Sequence, residues 1–107
     1  MKITICRKAH FNAAHKLYNP GLSNEENFEI FGKCSYENFH GHNYELIVKI
    51  LGDIDPKTGM VMDLSDLKKI IRTEVEDLLD HKNLNLDIPY FKDTIPTTEN
   101  LAIFIWN

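Results

Sequence analysis

The sequence predicts a single α+β domain, and three observations carry that reading. Apolar and polar residues alternate from Lys2 to Ala14. Leu46 to Leu51 is a second β-prone apolar run. Leu67, Ile71, Val75 and Leu78 recur at the spacing of one helix face. With 107 residues, 43% hydrophobic and 26% charged, the chain belongs with globular domains and is long enough for one modest core. A net charge of −4 and a pI near 5.7 argue against broad nucleic-acid binding. No run approaches the ~18 apolar residues of a membrane span. The amino terminus, Met-Lys-Ile-Thr-Ile-Cys-Arg-Lys, lacks the long apolar core of a signal segment. Cys6 and Cys34 make no disulfide framework, so a soluble cytoplasmic protein with reduced thiols is expected. No internal repeat, low-complexity tract or linker divides residues 1–107.

In the first strand Ile3, Ile5, Ala9, Phe11 and Ala13 share one parity, and Lys2, Thr4, Lys8, His10 and Asn12 share the other, which gives one apolar face. His15 closes the strand on the apolar parity, where a satisfied core histidine and a functional one fit equally well. His10 lies on the polar parity and reads as exposed. Asn19-Pro20-Gly21 signals a turn. Ser23 is placed to cap a short helix, with Glu26 completing a capping box, Phe28 and Phe31 on one side and Gly32 ending it. The strand from His42 ends at Gly52, and residues 53–59 are dense in turn formers. Met60-Val61-Met62 is a short apolar return. Asp63 or Ser65 caps the next helix, whose Lys68, Lys69, Arg72, Glu76 and Asp77 face water. Residues 86–96 read as loop, broken by Pro89 and Pro96. Thr97-Thr98-Glu99-Asn100 starts a last helix, with Glu99 favoured by the dipole in its first turn.

The stretch from Cys34 to Leu51 carries the chemistry. If the strand begins near the histidines, its period of two sends His40 and His42 to one face and Gly41 to the other. Two imidazoles on one face suit a divalent transition metal, most often zinc, though ordinary surface histidines would show the same spacing. Cys34 arrives on the loop feeding that strand, as a further ligand or as a base whose thiolate a nearby positive charge favours. Asp80-His81 follows a helix. A carboxylate beside an imidazole orients it and raises its basicity, as a proton relay needs. The plainer alternative is that His81 complements the carboxyl end of the helix dipole.

Taken together, these residues resemble the 6-pyruvoyltetrahydropterin synthase family. The resemblance runs through Phe11-Asn-Ala-Ala-His15, Phe31-Gly-Lys-Cys34, His40-Gly-His-Asn-Tyr44, Asp55-Pro-Lys-Thr-Gly-Met-Val-Met62, Leu79-Asp-His-Lys-Asn-Leu-Asn85 and Thr97-Thr-Glu-Asn100, in family order over nearly the whole chain. It implies that His15, His40 and His42 are zinc ligands, leaving one coordination position for substrate. It further implies that Cys34 is the catalytic thiol, that Asp80 and His81 are a second proton-handling pair, and that Thr97 and Thr98 help hold a pterin ring. The implied reaction converts 7,8-dihydroneopterin triphosphate into 6-pyruvoyltetrahydropterin and triphosphate. The substrate's own reduction state supplies the electrons, which agrees with the lack of a Gly-rich nucleotide motif. The implied fold is the tunnelling fold, an antiparallel sheet with two helices on one face. Its subunits join as trimers that pair into hexamers, with sites at subunit boundaries.

Two departures from the family pattern matter. The spacer between Cys34 and His40 resembles the animal-type enzyme of tetrahydrobiopterin synthesis, whereas the 6-carboxytetrahydropterin synthases commonly have a shorter one. The family's last two strands and its pterin-anchoring glutamate find no counterpart in residues 1–107. The expectation is therefore an incomplete single domain, inactive or unstable alone. As an alternative to the lyase, it would be a non-catalytic form that binds zinc or other subunits.

Overall fold

Two fourteen-residue strands set the architecture. In the computed structural model, which describes residues 1–106, β1 (Lys2–His15) and β2 (His40–Asp53) pair antiparallel in unbroken register from Lys2 opposite Asp53 to His15 opposite His40. The alternation read from the sequence holds. Ala9, Phe11, Ala13 and His15 are buried, while Lys8, His10 and Asn12 are exposed. On β2, Tyr44, Leu46, Val48 and Ile50 line the same face and pack against the core. A two-residue strand, β3 (Lys82–Asn83), joins the other edge of β1 in parallel, giving the order β2-β1-β3. The fold is α+β with a small mixed sheet. β3 has no signal in the sequence, because two residues are too few to show a period.

The connection between the long strands carries α1 (Asn24–Phe31), closed at its start by the expected capping box of Ser23 and Glu26. Its end is fixed by Gly32 at φ 59, ψ −135, a conformation in which a side chain is strained although no atom crowds the site. The face of α1 differs from expectation. Phe28 is 51% exposed, and the fully buried residue is Asn27. Its amide donates to the carbonyls of Asn19 and Ser23 and accepts from the Asn19 N–H, so the helix is docked by polar pairing to its own entry turn.

Asp63 caps α2 (Leu64–Ile71), its side chain accepting from the Ser65 N–H. A π turn over Arg72–Glu76 follows, then a last α-helical turn, α3 (Asp77–Leu79). That wide turn changes which leucine is buried. Leu67, Ile71, Val75 and Leu79 form the inner stripe, and Leu78 is 48% exposed. A four-residue repeat drifts around an ideal α-helix, and the wider π turn cancels part of that drift.

The stretch read as loop over 86–96 begins within α4 (Leu84–Asp87), capped by the Asn83 side chain, and continues with a 3₁₀ turn at Pro89–Lys92. Leu84, Ile88 and Phe91 are buried there. α5 (Thr98–Trp106) then packs Leu101 into the core and Phe104 against Phe91 and Tyr90. No helix among the described residues is long and apolar enough to cross a membrane. The molecule measures 60 × 25 × 20 Å with a radius of gyration of 17.5 Å. A compact chain of this length would have a radius of gyration of about 13 Å.

Candidate metal centre and active site

Strand register builds the first half of the site. His15 lies directly opposite His40, and His42 is opposite Ala13. The three imidazoles therefore share the core face, where facing and diagonal neighbours across an antiparallel pair come within reach. Ring centroids are 4.6 Å (His15–His40), 4.7 Å (His15–His42) and 4.6 Å (His40–His42) apart, each pair edge to face. One nitrogen from each ring lies within 4.8 Å of the other two. Burial grades across the cluster, with His15 buried, His40 half-buried and His42 exposed.

His15 is oriented from behind. Its Nδ1 is 2.9 Å from the Pro96 carbonyl oxygen and 3.2 Å from the Tyr44 hydroxyl. A carbonyl only accepts, so Nδ1 carries the hydrogen and Nε2 keeps its lone pair. Nε2 of His15 and Nε2 of His40 are both buried without a hydrogen-bond partner. Buried polar atoms are almost always paired. Two converging orphan nitrogens and a third imidazole at the rim fit a divalent cation that favours nitrogen ligands.

Electrostatics point the same way. Burial holds the His15 pKa below its ordinary value, partly opposed by the Pro96 carbonyl and reinforced by His40 and His42. Burial, then His42, lowers His40. Both imidazoles are kept in the neutral form that binds a metal. Below the unfolded value of about 6.5, the unfolded chain binds more protons at these positions than the folded one, so stability falls with falling pH. Thermal melts of the metal-free protein are expected to show Tm declining from pH 7.5 to 5.5. A flat or rising Tm over that window would contradict neutral, buried imidazoles.

The second half of the site follows α3. His81 has φ 61, and among the described residues it is the non-glycine residue with a positive φ. Asn12 imposes this bend. The Asn12 N–H donates to Asp80 Oδ1 at 2.8 Å, and the His81 N–H donates to the Asn12 carbonyl at 2.6 Å. Asp80 Oδ2 lies 2.9 Å from His81 Nδ1. The Asn12 amide, and then His81, holds the Asp80 carboxyl below its usual range, so it stays ionised. With Nδ1 of His81 engaged, Nε2 is the nitrogen left for proton exchange, on a ring that is exposed. The pair stands outside the three-histidine cluster. Asn12 has the parity opposite to Ala13 and His15, and a shallow cavity of about 530 Å³ beside it is lined by residues that include His42, Asn43 and His81.

Cys34 sits on the 3₁₀ turn Gly32–Ser35 and is a half-buried free thiol. The Leu17 N–H donates to the Cys34 carbonyl at 2.8 Å, which ties the turn to the chain two residues beyond His15. Burial, and then Cys34, pushes up the pKa of Tyr44, so the thiol is within electrostatic reach of the phenol that touches His15.

The family model described as 6-pyruvoyl tetrahydropterin synthase matches residues 4–107. The chain belongs to the 6-pyruvoyl tetrahydropterin synthase family. It is 53% identical over 103 residues to 6-pyruvoyl tetrahydrobiopterin synthase of Pongo abelii, covering 96% of this chain and 71% of that protein. It is 52% identical to the same-named protein of Homo sapiens, with the same coverage. The structure of Caenorhabditis elegans 6-pyruvoyl tetrahydropterin synthase superimposes with a TM-score of 0.93 at 46% identity, over 99% of this chain and 75% of that one.

Within this pterin synthase chain, the residues singled out from sequence fall into separate groups. His15, His40 and His42 come together, and Asp80 and His81 pair with each other. Thr97 and Thr98 open α5 directly after Pro96. The Thr97 hydroxyl accepts the Asn100 N–H at 3.2 Å as a helix cap, and Thr98 is exposed. Sequence reasoning missed the two groups behind His15. Tyr44 had a signal, since it shares the parity of His40 and His42. The Pro96 carbonyl, 81 residues from His15 in sequence, had none.

Proposed function

We propose that this chain is a zinc-dependent lyase of tetrahydrobiopterin synthesis, acting on 7,8-dihydroneopterin triphosphate to give 6-pyruvoyltetrahydropterin and triphosphate. The observation that carries this reading is the cluster of His15, His40 and His42, with two orphaned Nε2 atoms, in a chain of this family. Zinc held by these histidines would supply Lewis acidity to the side-chain hydroxyls of the substrate. Cys34, as thiolate, takes a proton from one side-chain carbon, and triphosphate leaves with the bonding electrons of its C–O bond. His81 trades protons through Nε2 during the tautomerisation, while Asp80 fixes the ring through Nδ1. Thr97 and Thr98 are assigned to holding the pterin ring.

The same reading takes residues 1–107, whose match spans 71% of the Pongo abelii protein, as a pterin synthase domain that at full length works in the cytoplasm as a homohexamer, a dimer of trimers. Two features support association. The molecule is elongated, and Ile47, Leu51, Ile54 and Trp106 are at least half exposed. The cavity shared by His42 and His81 is shallow and open, which also suits a site completed across a subunit boundary.

The test is triphosphate release from 7,8-dihydroneopterin triphosphate by the zinc-supplemented protein, with the pterin product identified by chromatography; absence of release would favour the non-catalytic alternative that binds zinc or other subunits. Release is expected to fall by at least about a hundredfold in Cys34→Ala, the range for removing a general base. Release that persists in Cys34→Ala would remove the thiol from the mechanism. A 6-carboxytetrahydropterin product would move the chain to the carboxy-forming branch.

A further inference from the structure

We propose that Tyr44 is a positioning residue for the metal centre. Its hydroxyl joins the Pro96 carbonyl in holding His15 as the Nδ1–H tautomer, with Nε2 aimed at the metal. This deepens the metal-centre reading and rests on it. Two acceptors meet one hydrogen here, since Nδ1 of His15 lies 2.9 Å from the Pro96 oxygen and 3.2 Å from the Tyr44 oxygen. Were the hydrogen on Nε2 instead, the Nδ1 lone pair would face the Pro96 carbonyl lone pairs at 2.9 Å, and a buried nitrogen without a partner would bear a donor. The hydroxyl is well aimed because its ring is fixed. Tyr44 stacks on Phe11, directly opposite in the strand register, with centroids 5.1 Å apart and planes 16° from parallel. Edge contacts with the rings of His15 and His42, at 6.3 and 6.0 Å, complete the packing. One side chain thereby sets the angle of the buried ligand and borders the exposed one.

Partners that hold the far nitrogen of a ligating histidine commonly change metal affinity by ~10–100-fold when lost. Tyr44→Phe keeps the ring and its stacking on Phe11 while removing only the hydroxyl, and the Pro96 carbonyl remains. Zinc affinity, measured by competition with a chromophoric chelator, is therefore expected to fall about tenfold, the low end of that range. The Tm of the metal-free protein is the control for folding. Nitrogen-15 NMR of the metal-free protein gives a reading that does not depend on zinc. The His15 Nδ1–H signal should shift in Tyr44→Phe, because a hydrogen-bond acceptor is lost while the neighbouring aromatic ring is retained. An affinity within twofold of wild type, or an unmoved His15 ring signal, overturns the proposal. If the wild-type protein binds no zinc, the metal-centre reading fails separately, and the His15 signal alone decides the role of Tyr44.

Discussion

His42→Ala is expected to abolish tight zinc binding while leaving the fold almost untouched. Zinc sites with four protein ligands bind with about 10–16 kcal/mol, so one ligand is worth roughly 3 kcal/mol or more, a loss in affinity above about a hundredfold. His42 is the exposed member of the cluster, at the end of the hairpin, and its replacement opens no core cavity. The Tm of the metal-free protein should therefore stay within about 2 °C of wild type. Zinc is expected to raise the Tm of the wild-type protein but not that of the variant, because a ligand stabilises the folded state appreciably only at concentrations above its dissociation constant. His10→Ala is the control. His10 is exposed on the opposite face of β1, so zinc binding should be unchanged. Chelator competition and thermal melts read both outcomes. Wild-type affinity in His42→Ala would remove that residue from the ligand set.

Leu79→Ala should cost about 2–5 kcal/mol, the range for deleting a fully enclosed leucine. Leu79 has no exposed surface and sits where α3 meets β1 and the core residues of the following turn. Its neighbour separates the structural account from the sequence pattern. Leu78 is half exposed, and Leu78→Ala should cost less than about 1 kcal/mol. A plain α-helical continuation of Leu67, Ile71 and Val75 predicts the reverse order. Urea unfolding of the two variants measures the difference, and a larger loss in Leu78→Ala would mean that the π turn does not set the register. The consequence reaches the site, because Asp80 and His81 begin the segment that this helix end delivers to Asn12.

Much of the fold could be read along the chain because its signals are local. Alternation in β1 needs only the period of a strand, and the Ser23–Glu26 capping box needs only residues three apart. The same period placed His15, His40 and His42 on apolar or shared parities. The misreadings have equally physical causes. Phe28 yielded the inner face of α1 to Asn27 because a satisfied amide docks that helix, and hydrophobicity does not report hydrogen bonds. The loop expected over 86–96 hides the buried Ile88 and Phe91, whose spacing matches no single period because a short helix and a 3₁₀ turn divide them.

The amino-acid order was enough to establish the α+β class and the family, and to single out the residues assigned to the chemistry. Each of these depends on short-range periodicity or on which residues stand together in a motif. Assembly of the centre depended on the folded chain. The antiparallel register brings His40 opposite His15, the Pro96 carbonyl reaches His15 from a distant loop, and the two backbone groups of Asn12 bend His81 into its positive φ. These contacts join residues far apart in sequence. Their partners are backbone atoms that every residue carries, so side-chain identity cannot announce them.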